Sequence, residues 1–380
     1  MREIKKLIIS LFLCLILIAC STRRNTYVSR QYHNLTAHYN AYFNGKEALK
    51  EDIRTLEENY VYNYEDILPV FINSDAESSK LIFPQMERAY EKGSKVINNH
   101  SIMEKGVEYN KWVDDAYFLI GRSHYYKCDY LKSLEAFDYV VRLFKNSPIR
   151  YDNMLWMGKA YIQLGNYERA EVTIDYIKQK SGDPLVKHYS NFKRPKTYER
   201  DLPAVYADLY IRQGRYKEAI PFLLGAIELS NVKKDRLRYT YILAQLYQRI
   251  GKMNDASQLY QKILKMGARY DMAFNAKLNL AKSFNVNDPT ETRNVKKLFS
   301  KMARDKKNKE FLDQIYYALA QISFREKKKE EGIEYLEKSI ASSLNNKNQK
   351  ALSCMQLADI YFSDRQYEMS EMYYDTTIRY

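Results

Sequence analysis

Few residues of this 380-residue chain have the type and spacing to do chemistry. His33 and His38 stand five positions apart, roughly 140° around a helix, which suits one metal ion poorly. His33 and Asn34 read instead as local caps or hydrogen-bonding groups. Asn44-Gly45-Lys46 holds the Gly-Lys pair of a phosphate-binding loop. It lacks the earlier glycine and the following Ser or Thr, so it reads as a turn. Asp114 and Asp115 occupy adjacent helical positions and face apart, as solvated or helix-start charges. Cys128 and Cys354 are far apart and read as two small buried residues rather than a disulfide. No GxSxG, HExxH or GxGxxG motif occurs, nor any CxxC or Cys/His cluster. The sequence therefore offers no catalytic, cofactor-binding or metal-binding residue, no cofactor, and no sign of an enzyme.

One residue does have a chemical role written around it. Residues 1–20 read MREIKKLIISLFLCLILIAC. Arg2, Lys5 and Lys6 make a charged leader. Leu7 to Ala19 is an apolar run of 13 residues broken only by Ser10. That is short for crossing about 30 Å of hydrocarbon and suits a secretory signal peptide, 1–19. The alternative is an uncleaved anchor that happens to end in cysteine. Leu17-Ile18-Ala19-Cys20 looks like a bacterial lipoprotein processing site, with Cys20 as the lipidation residue and 20–28 as a lipidated tether. Several acyl chains on one residue give a stable anchor where a single chain would be marginal. Ser21-Thr22-Arg23-Arg24 has no Asp after the cysteine. By resemblance to known lipoprotein sorting, that implies the outer membrane, on its periplasmic face. Removal of 1–19 lowers the formal charge from +14 to +12 by deleting three cations and one anion. In the periplasm no chromosomal DNA is met. The charge then implies acidic partner proteins, envelope polymers or lipid head groups, and no nucleic acid.

The elements behind these residues are helical. Gly and Pro are scarce, at 12 and 8, while Tyr reaches 36. From about residue 110 a pattern recurs. Small residues fall at Gly121, Gly158, Ala207, Ala244, Ala320 and Ala358, where two helices cross. Three positions later stand His124, Tyr161, Tyr210, Tyr247, Ser323 and Tyr361. Gly165, Gly214 and Gly251 mark turns, and Tyr130, Tyr167, Tyr216 and Tyr367 open second helices. Ser133, Ala170, Ala219, Ala256, Gly332 and Ser370 are the second small positions. Phe137, Ile174, Leu223, Tyr260, Leu336 and Tyr374 are the large residues four places on. Amphipathic helix pairs packed antiparallel need this alternation, and such hairpins bury their faces only by stacking. The pattern is that of the tetratricopeptide repeat. The expected fold is all-α, a right-handed superhelical solenoid of antiparallel helix pairs.

Residues 111–380 then hold about seven pairs, one degenerate at about 272–303 with Ala281 and Phe284 in phase. The last repeat has no polar cap, which implies an array continuing past residue 380 or an end that pairs with a partner. The stretch 181–200, SGDPLVKHYSNFKRPKTYER, is an inter-repeat loop, either a partner contact or an extended turn. Basic runs Lys233–Arg238, Arg304–Lys309 and Lys327–Lys329 read as solvated faces that together could form a positive stripe. Partner binding is expected on the concave surface of the first helices, with no particular residues assigned. Residues 29–110 form an atypical helical region: helices at about 29–43 and 46–58 joined by a turn at Asn44-Gly45, a loop with Pro69 over 61–76, and a helix over 77–99 near Pro84. Tyr32, Tyr39, Tyr42 and Phe43 read as core.

The stretch 32–50, YHNLTAHYNAYFNGKEALK, follows a lipoprotein cysteine and precedes tetratricopeptide repeats. In this it resembles the SprE/PorW lipoproteins of the type IX secretion and gliding-motility machinery. The resemblance implies an outer-membrane lipoprotein that bridges secretion-machine proteins, with no catalytic site and no small-molecule substrate. Two alternatives stay open: a SusD-like glycan-binding lipoprotein, which needs exposed aromatics in large loops between repeats, whereas this chain has only two tryptophans, Trp112 and Trp156, and a BamD-like outer-membrane assembly lipoprotein, which has a shorter array.

Overall fold

A computed structural model describes residues 25–181 and 197–379. The signal peptide, Cys20 and most of the 181–200 loop lie outside those residues. The chain divides into two compact units. Unit 1 holds residues 1–62 and 69–231; unit 2 holds residues 63–68 and 232–380.

In unit 1, α1 (Tyr27–Thr36) continues through a π-helical stretch (Ala37–Tyr42) into α2 (Phe43–Asn59), and α3 (Ser78–His100) packs against it. A short hairpin follows, β1 (Met103–Glu104) and β2 (Val107–Glu108), turned by Lys105 and Gly106 at positive φ. Three helix pairs complete the unit: α4 (Val113–Tyr126) with α5 (Tyr130–Leu143), α6 (Arg150–Gln163) with α7 (Tyr167–Ser181), and α8 (Thr197–Arg212) with α9 (Tyr216–Leu229). Unit 2 continues with α10 (Lys233–Arg249) and α11 (Met253–Lys265), α12 (Tyr270–Ser283) and α13 (Pro289–Arg304), α14 (Leu312–Arg325) and α15 (Lys329–Ser342), and α16 (Lys347–Ser363) and α17 (Tyr367–Arg379). The fold is an all-α array of tetratricopeptide-type pairs.

The small positions do what the pattern requires. Gly121 lies so close to Phe137 that an added Cβ would fall 2.3 Å from its ring, and at Gly158 it would fall 2.7 Å from Ile174. Ala207, Ala244, Ala320 and Ala358 have no exposed surface, and neither do Phe137, Ile174, Leu223, Tyr260 and Leu336. Tyr374 departs from the expected core role: it is half-exposed, with its hydroxyl donating to Asp359 at 2.6 Å.

Each regular pair turns seven residues after its first small residue, with one backbone geometry. Gly165, Gly214 and Gly251 adopt φ of 73°, 72° and 80° there, and Cys128, Lys327 and Arg365 adopt 63°, 62° and 60°. The next amide in each case reaches back to close the first helix: Asp129 to His124, Asn166 to Tyr161, Arg215 to Tyr210, Lys252 to Tyr247, Lys328 to Ser323, and Gln366 to Tyr361. This is the Schellman closure, which needs a left-handed residue. Cys128 is therefore half-exposed at a turn rather than buried, while Cys354 is buried, and both thiols are free. The pair α12/α13 lacks the device. Its first helix ends at Phe284 in extended conformation (ψ 156°), and its second starts on an Asp288 cap followed by Pro289. The two helices do not pack closely on each other; each packs against α14.

The reading of residues 29–60 needs correction. There is no turn at Asn44-Gly45. Helix runs through both, with Asn44 Nδ2 donating to the Asn40 carbonyl at 2.8 Å. Gly45 serves close packing instead: a Cβ there would lie 2.8 Å from both Leu119 and Lys92. The core stripe of this helix is Ala37, Ala41, Gly45, Ala48 and Leu49. Tyr32, Tyr39 and Phe43 therefore point outward, being 45%, 60% and 50% exposed, and only Tyr42 of the four is largely covered.

Candidate protein-interaction surfaces

Between Asn59 and Ser78 the chain has no helix or strand. It is not a surface loop, however. Leu68, Val70, Ile72 and Ser74 are 1%, 1%, 5% and 6% exposed, an alternation of period two. We call this stretch the strap.

In unit 1 the strap lies against first helices. Tyr125 donates to Asn73 Oδ1 at 3.0 Å, the Ser74 hydroxyl donates to the Tyr126 carbonyl, and the Cys128 thiol donates to the Ser74 carbonyl at 3.4 Å. Phe71 covers Lys159, whose ammonium sits 3.9 Å from the Phe71 ring and 4.0 Å from the Trp156 ring. Burial lowers the Lys159 pKa to about 8, against the pull of Asp201 and Asp208. Trp156 itself is walled by Tyr125, Tyr126, Phe118 and Phe137, with the Arg122 guanidinium 4.7 Å away.

In unit 2 the strap residues Asn63–Leu68 lie against α10 and α12. Gln245, only 6% exposed, accepts from the Leu68 amide at 2.9 Å and donates to the Asp66 carbonyl at 2.6 Å. The Tyr64 ring meets Tyr241 edge-on, with centroids 5.2 Å apart, and its hydroxyl donates to Asp271 at 3.0 Å. A separate cleft of about 680 Å³ in unit 2 is lined by amides, Asn254, Gln258, Gln261, Asn285 and Asn294 among them.

A second surface is the outer face of the first helix of unit 1. Val28, Tyr32, Leu35, Tyr39 and Phe43 recur at spacings of three or four and are 45–61% exposed. Such a row is a helix-in-groove docking pattern.

His33 is buried with its Nδ1 3.0 Å from His100 Nδ1, a distant partner rather than a local cap. Burial and the neighbouring His33 lower the His100 pKa. His38 lies elsewhere, stacked 3.9 Å from the Trp112 ring. Among the described residues, no three His, Cys, Asp or Glu side chains are grouped to hold a metal. Asp114 and Asp115 do open a helix, but they are not solvated. Asp114 accepts from the Ser147 hydroxyl at 2.6 Å, and Asp115 accepts from Tyr42 at 3.2 Å. Burial, then Asp114, raise the Asp115 pKa to about 6. The basic runs are partly neutralised: Lys328 pairs with Glu326, Lys329 with Asp364, and Arg238 is buried beside Asp235. Among the described residues, no helix is long and apolar enough to cross a membrane. The strap was missed as a site, although Leu68, Val70 and Ile72 alternate in plain view.

Comparison with family profiles finds the same repeats. A tetratricopeptide-repeat profile matches residues 203–268, and a second of the same description matches 151–175 and 313–346. A tetratricopeptide repeat protein from Parabacteroides merdae is similar at 16% identity and a TM-score of 0.43, over 70% of this chain and 92% of that one. The structure of Naa15/Naa10 bound to HypK-THB is similar at 13% identity and a TM-score of 0.31, over 92% of this chain and 58% of that one. No curated protein matches the chain. The chain thus carries repeats of the tetratricopeptide class, stacked as the helix pairs described above. That class typically serves as a non-catalytic scaffold for protein–protein interaction.

Proposed function

We propose that this protein is an outer-membrane lipoprotein, anchored through Cys20 on the periplasmic face, that scaffolds protein partners of the type IX secretion and gliding-motility machinery and has no catalytic role. The observation behind the scaffold reading is the stacked helix pairs, whose polar side chains are used to hold protein segments rather than to converge on a reacting atom. The machine is named on the resemblance of residues 32–50 alone. That stretch supplies four members of the exposed row, Tyr32, Leu35, Tyr39 and Phe43, which suits a docking helix close to the anchor.

The glycan-binding alternative is weakened by both tryptophans: Trp112 is capped by His38 and Trp156 by Lys159 and the rings around it. The test is deletion of the gene and complementation with the parent or with Cys20→Ala. We expect deletion to abolish cargo secretion and motility, and Cys20→Ala to leave the protein unanchored and to restore neither fully. Normal secretion and motility in the deletion strain would end the proposal.

A further inference from the structure

The first-helix face of unit 2 carries polar side chains with a use that stacking alone does not explain. Gln245 is nearly buried, and its amide serves the main chain of residues 63–68. Its oxygen accepts from the Leu68 amide at 2.9 Å, while its nitrogen donates to Asp66 at 2.6 Å and to Tyr64 at 3.4 Å. A carboxamide that both donates and accepts can hold an extended main chain whatever side chains it bears. Selectivity comes from the flanks. Tyr241 receives the Tyr64 ring, Asp271 accepts its hydroxyl, and Leu68 is fully covered. Lys282 stands on the same helix as Asp271, and the Glu65 carboxylate favours its charged form against burial.

The segment itself looks like bound ligand. It has no regular structure, and only part of it is covered: Asn63, Glu65 and Asp66 are exposed while Tyr64 is half-buried and Leu68 buried.

We propose that this face, centred on Tyr241, Gln245 and Asp271, is a binding site for an extended protein segment of the pattern Tyr-acid-acid-x-Leu, and that the chain's own Asn63–Leu68 occupies it until a partner segment of that chemistry displaces it. The inference rests on the scaffold reading only in taking the ligand to be protein. It names no machine, so peptide binding and the secretion phenotype can fail independently.

The tether sets the size of the effect. A covalently attached copy competes at an effective concentration on the order of 1 mM. A free peptide that binds the open site at about 10 μM is then held back roughly 100-fold in the parent chain. The probe is a fluorescein-labelled peptide with the sequence of residues 61–70, VYNYEDILPV, read by anisotropy against the full chain.

Tyr64→Ala loosens the resident segment and leaves the site intact. It should bind the probe at least 10-fold tighter than the parent, and adding Gln245→Leu should remove at least that factor. Equal binding or none in folded Tyr64→Ala protein would overturn the proposal. So would equal binding of a scrambled peptide. Should Tyr64→Ala not fold, the parent gives the answer by hydrogen exchange. Saturating probe should speed exchange of the Leu68 amide, and an unchanged rate overturns displacement.

Discussion

One of the two closest helix crossings gives a sharp stability test. In Gly121→Ala the added Cβ would lie 2.3, 2.6 and 2.8 Å from Cε1, Cδ1 and Cζ of Phe137. Carbon contacts are comfortable at about 3.5–4.0 Å, so the ring must retreat by about 1 Å. It has nowhere to go. Phe137 is fully buried, with Phe118 and Trp156 at centroid distances of 5.9 and 6.3 Å. Overpacking of this kind costs about 1–3 kcal/mol, and three clashing ring atoms put the cost near the upper end. Ala is the better helix former and returns about 1 kcal/mol. The expected net loss is about 2 kcal/mol. In the Phe137→Ala background the clash is gone, so Gly121→Ala should there be stabilising by about 1 kcal/mol, a coupling of about 3 kcal/mol. Both tryptophans, Trp112 and Trp156, belong to unit 1, so urea unfolding followed by tryptophan fluorescence reports on the unit that carries the substitution. Gly158→Ala is the graded control, since its Cβ would meet one atom of Ile174, at 2.7 Å. Its loss should be smaller. A Gly121→Ala protein more stable than the parent would refute the close-approach argument, because that is what helix propensity alone demands.

Two further expectations follow from backbone and burial. Lys327 and Arg365 hold the left-handed conformation at which three other repeats use glycine. That costs a non-glycine residue about 1–2 kcal/mol, against about 0.5–1 kcal/mol for glycine's greater unfolded-state freedom. Lys327→Gly and Arg365→Gly should each stabilise by about 0.5–1 kcal/mol in chemical denaturation, and Gly214→Ala should destabilise by a similar amount or more. The Lys159 pKa falls from 10.5 to about 8 on folding. The unfolded chain therefore binds more protons between those values, so this group's penalty is full below pH 8 and fades as pH rises towards 10.5. Lys159→Met should be most favourable relative to the parent at pH 7. That advantage should shrink by up to about 3 kcal/mol by pH 10, and a pH-independent difference would rule the assignment out.

The repeat array was legible because its physics is local. A small residue that admits a neighbouring helix and a large one four places after the second small residue recur with the fold's own period, and Gly121/Phe137 and Gly158/Ile174 meet as that pattern requires. The turns were half legible. Glycine announces the left-handed position at 165, 214 and 251, but at 128, 327 and 365 only the phase does, since nothing about Cys, Lys or Arg signals it. Asn44-Gly45 misled in the opposite sense. The dipeptide is a strong turn signal, yet here the glycine admits Leu119 and Lys92 to the side of a continuous helix. The same tertiary cause explains the outward aromatics. Close neighbours leave room only for Ala37, Ala41, Gly45 and Ala48 on the inner face, so Tyr32, Tyr39 and Phe43 are displaced to the other side.

The strap changes where partners should be sought. A tetratricopeptide array is expected to bind along its first helices, and in both units that face is already in contact with the chain's own residues 63–74. The two parts of the strap differ in how firmly they are held. Val70 and Ile72 are at most 5% exposed, and burying each contributes about 2 kcal/mol, while Phe71 covers a buried cation. That part belongs to the core of unit 1. In the unit 2 part, residues 63–68, Asn63, Glu65 and Asp66 are exposed, and apart from the buried Leu68 and the Tyr64 contact the segment is fixed mainly by hydrogen bonds that a second extended chain could make equally well. Net contributions of about 1 kcal/mol per such bond leave this part open to competition. Exchange of the first-helix face is therefore confined to unit 2, and among the described residues of unit 1 one surface open to a partner is the outward row Val28, Tyr32, Leu35, Tyr39 and Phe43, which no core requirement explains.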